Sequence, residues 1–145
     1  MFQRILVATD GSAMSEEALK TALQLAQEQK AELLIVHVVD MYGFYLASAD
    51  VVRVFHEEGE AILSRAEDTA RQAGVSAKTR LLETGVGGSR VAELIAEEGK
   101  TWPADLLVVG THGRRGLSRL FLGSVAEGVS RLATVPVLLV RAPAS

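Results

Sequence analysis

The sequence predicts an α/β fold: one domain built on a doubly wound parallel sheet of five strands with four helices. Three observations carry this. Short apolar runs alternate with longer stretches of helical periodicity along the whole chain. Most of the runs are continuously apolar instead of alternating, as expected of strands covered on both faces. The segments that follow the runs are rich in Gly, Ser and Thr, the residue types of ligand-facing loops.

The elements follow in order. "ILVA" (5–8) is the first strand, and a helix follows over 15–30. There Ala18, Leu19, Ala22, Leu23, Leu25 and Ala26 recur at helical spacing behind Ser15, Glu16 and Glu17. A serine cap followed by acids suits the positive end of a helix dipole. "LLIVHVV" (33–39) is the second strand, and a long helix over 49–73 stops at Gly74, where positive φ is useful. "VSAKTRLLE" (75–83) does alternate, with Val75, Ala77, Thr79 and Leu81 on one side, and reads as a half-exposed edge strand. A helix over 89–98, the strand "LLVVG" (106–110), a helix over 124–133 and the strand "VLLV" (137–140) complete the chain. The β-α alternation implies right-handed crossovers.

Composition narrows the function. The 145 residues are 48% apolar and carry a net charge of −3, which argues against general nucleic-acid binding. No apolar run approaches the ~20 residues that cross a bilayer, and "MFQRILVATD" shows no secretory leader, so no membrane is expected and the cytoplasm is the expected location. With no cysteine there are no disulfides and no thiolate metal sites.

In a doubly wound sheet, ligands sit beyond the carboxyl ends of the strands, where the strand order reverses. The segments at that position are "TDGS" (9–12), Asp40, "TGVGGS" (84–89) and "THGRRG" (111–116). Residues 110–124 hold Arg114, Arg115 and Arg119, with no acid, in a chain that is otherwise acidic. Gly110 and Gly113 allow tight turns that bring N–H groups to an anion. Gly123 and Ser124 fall at the start of the last helix, where unpaired N–H groups and the dipole favour phosphate. The alternative is a loop whose glycines only make turns and whose arginines are solvated. The pattern is neither a G-x-G-x-x-G nor a P-loop.

The spacing G-x2-G-x9-G-[ST] is met by Gly110, Gly113, Gly123 and Ser124. With "ILVATDGS", "LLIVHVVD", "ADLLVVGTHGRRGL" and "VPVLLVR", the chain resembles the universal stress protein family in its ATP-binding branch over nearly its whole length. The resemblance implies a sheet ordered 3-2-1-4-5, a homodimer, and ATP as ligand with Mg²⁺ brought by the nucleotide. It puts Ala8, Thr9 and Asp10 beside the nucleoside, with Asp10 accepting from ribose hydroxyls or lying near the adenine. Val38 lines the base pocket through its backbone. Val109, Gly110, Gly113, Gly123, Ser124 and Val125 surround ribose and phosphates, and His112 and Arg114 join them as candidates in the same loop. Two departures stand out: Gly87 replaces a frequent proline, and "EEGKTWPAD" is slightly long before the fourth strand.

Other residues carry two readings. His37, inside an apolar strand, is a satisfied core histidine in preference to a base. His112 either donates to a phosphate or stabilises its loop, and His56 faces solvent. Scattered histidines without a spaced carboxylate make a poor metal site. Asp10 also fits a turn or cap. "MYGFYLASADVV" (41–52) is either a flap over the nucleotide or aromatic packing under a long loop. Three function classes follow: a nucleotide-dependent regulatory module whose downstream protein partner the sequence does not identify, a slow ATPase or phosphate-transfer enzyme, and a nucleotide-free dimerisation module. The first is favoured, because the glycine pattern is intact and no general base is aimed at a nucleophile. The dimer is expected through residues 135–140, an apolar edge with no charge before Arg141.

Overall fold

In chain order the elements are β1 (Arg4–Ala8), α1 (Ala13–Gln29), β2 (Glu32–Val39), α2 (Ala49–Gln72), β3 (Ala77–Glu83), α3 (Val91–Thr101), β4 (Leu106–Gly110), α4 (Ser124–Leu132) and β5 (Val137–Val140). The computed structural model describes residues 1–41, 48–85, 90–112 and 122–141. All five strands pair in parallel, in the order β3-β2-β1-β4-β5. This is the doubly wound arrangement and the strand order that the sequence led us to expect.

Side chains alternate across a strand, so each inner strand supplies both faces of the sheet. Ile5, Val7, Leu33, Ile35, Leu106 and Val108 pack with α1 and α2 on one face. Leu6, Leu34, Val36, Leu107 and Val109 pack with α3 and α4 on the other. The register sets Leu6 beside both Leu34 and Leu107, three buried leucines in a row across the middle of the sheet. Continuous apolarity in β1, β2 and β4 therefore has its expected cause: two buried faces.

Four local expectations need correction. The N-cap of α1 is Ser12, whose hydroxyl accepts from the Ser15 N–H at 3.2 Å; Ser15 lies inside the first turn and is buried. The strand β3 starts at Ala77, two residues later than expected, and Thr79 is exposed. It is nevertheless an edge strand, with Val75, Ala77 and Leu81 against the α1/α2 core. Third, α3 starts at Val91 and continues to Thr101, because the extra residues before β4 extend the helix. Trp102 then tucks in beneath the Arg4 guanidinium, 4.2 Å from the ring centroid, and Arg4 also donates to the Pro103 carbonyl at 3.1 Å. That adjustment lies at the amino end of the sheet. Fourth, His56 is only half exposed, and its Nε2 meets Glu83 on β3 at 3.1 Å. Gly74 does close α2 with φ of 75°. No helix among the described residues is long and apolar enough to cross a membrane.

The helices α3 and α4 touch through small residues: a Cβ on Gly128 would lie 2.5 Å from the Cβ of Ala92. Gly128→Val must push the two helices apart, and overpacking of this kind costs about 1–3 kcal/mol. A urea titration should show a lower midpoint with an unchanged slope; an unchanged midpoint would mean that the helices are not in contact there.

Candidate functional site

The loop from β1 into α1 is held by its own polar groups. The Thr9 N–H donates to the Val36 carbonyl on β2 at 2.9 Å, and the Thr9 hydroxyl lies 3.0 Å from that of Ser15. The Gly11 N–H donates to the Thr9 hydroxyl at 3.3 Å, and the Ser12 N–H donates to Asp10 Oδ1 at 2.9 Å. Asp10 therefore builds the turn with its side chain, as Asx residues do. It also lines the cavity described below.

A second loop leaves β4. The Thr111 N–H donates to the Val140 carbonyl at 2.9 Å, which extends the β4–β5 pairing by one residue. The Gly123 N–H donates back to the Thr111 carbonyl at 2.8 Å, so the two ends of the 112–122 segment are clipped together. A Cβ on Gly123 would sit 2.9 Å from that carbonyl oxygen, which explains the glycine by contact with the chain itself. Gly110 is not a turn residue, contrary to expectation. It is the extended last residue of β4, paired with Val140, and a Cβ there would lie 2.7 Å from Met14 Cγ. Its smallness makes room for the first turn of α1.

Gly123 is the N-cap of α4 and offers no side chain to its first turn, where the first intrahelical bond is Glu127 N–H to the Gly123 carbonyl at 2.9 Å. The N–H groups of Ser124 and Val125 thus stand at a helix end that favours negative charge. Ser124 is exposed and Gly123 buried.

Both loops open onto a cavity of about 910 Å³ at the carboxyl ends of β1, β2 and β4. Ala8, Thr9, Asp10, Val38, Val109, Gly110, His112, Gly123, Ser124 and Val125 all line it. Gly113 and Arg114 lie outside the described residues, as do Arg115, Arg119, Gly87 and residues 42–47 of the aromatic segment. Sequence reasoning missed the walls that come from elsewhere: Phe55 and Glu58 of α2, Arg90 and Glu93 beside the start of α3, and Arg131 of α4. No spacing marks them, because each reaches the cavity only through packing of its helix. The one available signal was position, since the first turns of α3 and α4 follow strands and face the same end of the sheet.

His112 Nδ1 lies 3.1 Å from the Thr111 hydroxyl. His37 Nδ1 lies 2.8 Å from the Thr9 carbonyl, so the ring is satisfied within the fold. Among the described residues no three His, Asp or Glu side chains gather into a group that would hold a metal ion. The described walls carry carboxylates from Asp10, Asp40, Glu58, Glu93 and Glu127 and guanidinium groups from Arg90 and Arg131, with Arg131 paired to Glu127 at 3.3 Å. An apolar floor of Val36, Val38 and Val109, an acid-bearing loop on one side and an open helix N-terminus on the other suit a flat ring joined to an anion.

Comparison with known proteins places this geometry. A model of the Universal stress protein family matches residues 1–141. A universal stress protein of Methanocaldococcus jannaschii is 39% identical over 148 residues, covering 99% of this chain and 84% of that protein. A crystal structure of a universal stress protein in complex with cAMP superposes with a TM-score of 0.73 at 30% identity, over 95% of this chain and 96% of that one. The universal stress protein from Archaeoglobus fulgidus in complex with dAMP superposes with a TM-score of 0.71 at 26% identity, over 96% of this chain and 97% of that one. With its sheet order, its loop pattern and a family match over nearly the whole chain, this protein belongs to the universal stress protein family.

Proposed function

We propose that this chain is an ATP-binding universal stress protein, a regulatory module of the stress response in the cytoplasm whose nucleotide occupancy changes its contacts with other proteins. The observation that carries the reading is the convergence, in one cavity, of the Asp10 turn, the Val38/Val109 floor and the open first turn of α4. The ligands of the two structural neighbours share an adenine, a sugar and a phosphate, and those are the pieces such a cavity separates. In this reading the base lies against Val38 and Val109, and the ribose lies beside Ala8, Thr9 and Asp10. The phosphates meet Gly110, His112, Gly113, Arg114, Gly123, Ser124 and Val125, and any Mg²⁺ arrives on the phosphates. The chain contributes binding and orientation, with no residue assigned to cleavage.

ATP is expected to stabilise the protein by mass action, by about 2.7 kcal/mol at a hundred times Kd. Ser124→Asp places a carboxylate where the phosphates would lie, at an exposed position where an acid also suits the helix dipole. It should abolish the ATP-induced rise in Tm without lowering the Tm of the free protein. Undiminished stabilisation of the variant would remove the phosphates from α4, and no stabilisation of the wild type by any adenine nucleotide would end the reading. Release of ADP from incubated ATP at a steady rate would move the protein to the ATPase class.

Asp10 has two tasks that separate by substitution. Asp10→Asn keeps an oxygen for the Ser12 N–H but removes the charge that a ribose hydroxyl would meet. Calorimetry should show ATP weakened by about 1.5–3 kcal/mol with inorganic triphosphate unaffected. Equal weakening of both ligands would leave Asp10 as a loop-builder alone.

The protein also pairs with a second copy through β5 in this reading. The two sheet edges differ: β3 exposes Lys78, Arg80 and Glu83, whereas the four residues of β5 are apolar and only half buried. Exposed charges guard an edge, and a bare apolar edge invites pairing. Two β5 strands set antiparallel about a two-fold axis would pair their outer N–H and carbonyl groups and cover Leu138 and Val140. Leu138→Lys should convert a dimer into a monomer at micromolar concentration by light scattering while ATP binding persists. A wild-type protein that scatters as a monomer there would refute the pairing.

A further inference from the structure

We infer that His37 is a positioning residue for the β1–α1 loop, holding the Thr9 carbonyl through Nδ1–H and thereby setting the Asp10 turn; the functional consequence rests on the nucleotide reading above. A carbonyl oxygen only accepts, so the 2.8 Å contact requires the proton on His37 Nδ1. In the neutral ring that leaves Nε2 bare, which is the less common tautomer of free histidine. The fold therefore selects the tautomer.

The contact reaches Asp10 through the peptide plane. Thr9 C=O and Asp10 N–H belong to one planar unit and point in opposite directions. Fixing the carbonyl toward His37 turns the N–H toward the Ser15 hydroxyl, 3.3 Å away. Ser15 also meets the Thr9 hydroxyl at 3.0 Å and donates to the Ser12 carbonyl at 2.9 Å, and Ser12 N–H is the partner of Asp10 Oδ1. Two contacts from β2 thus anchor Thr9: the Val36 carbonyl, which any residue would supply, and the His37 ring, which depends on the side chain.

The ring itself is confined. His37 lies on the α1/α2 face of β2, where α2 passes so close that a Cβ on Gly59 would sit 3.0 Å from His37 Cδ2 and 2.8 Å from Leu81 Cδ1. Its neighbour Val38 turns to the opposite face and packs with the α3/α4 core. His37 also lines the cavity, and the role assigned to it rests on its Nδ1 contact with Thr9.

Three readouts test this. Ring-nitrogen chemical shifts of the ligand-free protein at mildly alkaline pH should report the Nδ1–H tautomer; the Nε2–H tautomer overturns the inference. His37→Asn keeps a donor at the same reach from the backbone as Nδ1, while His37→Leu removes it. Amide exchange at Asp10 and Ser12 should speed up in His37→Leu and return toward wild type in His37→Asn. ATP affinity should fall about tenfold or more in His37→Leu and stay within about threefold in His37→Asn. Asn behaving as badly as Leu, or Leu as well as wild type, overturns it. If the wild type binds no adenine nucleotide, the nucleotide reading fails by itself, and the tautomer and exchange still decide the positioning role.

Discussion

The site depends on one constraint of connectivity: β1 and β4 are neighbours, yet the helices that follow them go to opposite faces of the sheet. The helix α1 packs with α2 on one side, and α4 packs with α3 on the other. The two chains leaving adjacent strand ends must therefore diverge, and a crevice opens between them. Between β1 and β2, by contrast, the helices that follow pack on the same face, and the chains leaving those strands run together. The Leu6–Leu34–Leu107 row beneath locks the strands that border the crevice. Position and rigidity thus come from the same packing.

The glycines of the loop pattern owe much of their identity to the protein itself. Gly123 is fixed by the Thr111 carbonyl and Gly110 by Met14, before any ligand is considered. This matters for binding. The Gly123 N–H holds the residues on either side of the 112–122 segment together, so the base of this wall is set by the chain's own hydrogen bond. The Asp10 turn is likewise tied by Ser12, Ser15 and Thr9. Both walls of the crevice are preorganised by short-range hydrogen bonds of their own.

Most of the fold was legible because strand identity here is a matter of continuous apolar runs, and β4 and β5 were read to the residue. Boundaries governed by capping were not. Ser12 and Ser15 are three apart, and either can begin a helix by sequence; packing decides, since Ser15 is drawn into the buried contact with Thr9. The end of α3 was hidden for a similar reason: Trp102 and Arg4 meet across 98 positions of sequence. In the site, the residues on strand ends were all legible, because a strand end announces itself. Phe55, Glu58 and Arg90 were not, because their place depends on how α2 and α3 lie. His37 was legible as a satisfied histidine, but its partner, 28 residues away in the β1–α1 loop, was not.

The charges around the crevice add a last constraint on what it holds. The described lining residues include five carboxylates and two guanidinium groups, with Arg131 paired to Glu127. The α4 N-terminus adds the equivalent of roughly half a positive charge on one side. The compensating charge in the sequence is the +3 of residues 110–124 (three arginines, no acid), which departs from β4 and returns to α4 at the crevice itself. The Thr111–Gly123 bond joins the residues that flank that segment at the start of α4. Under the proposed reading, a phosphate at Ser124 would meet the backbone N–H groups of the helix end. Under the proposed reading, Mg²⁺ carried by the phosphates would lower the negative charge brought to these walls. Under that reading the ring would lie on the apolar floor of Val36, Val38 and Val109, with the carboxylates along the walls.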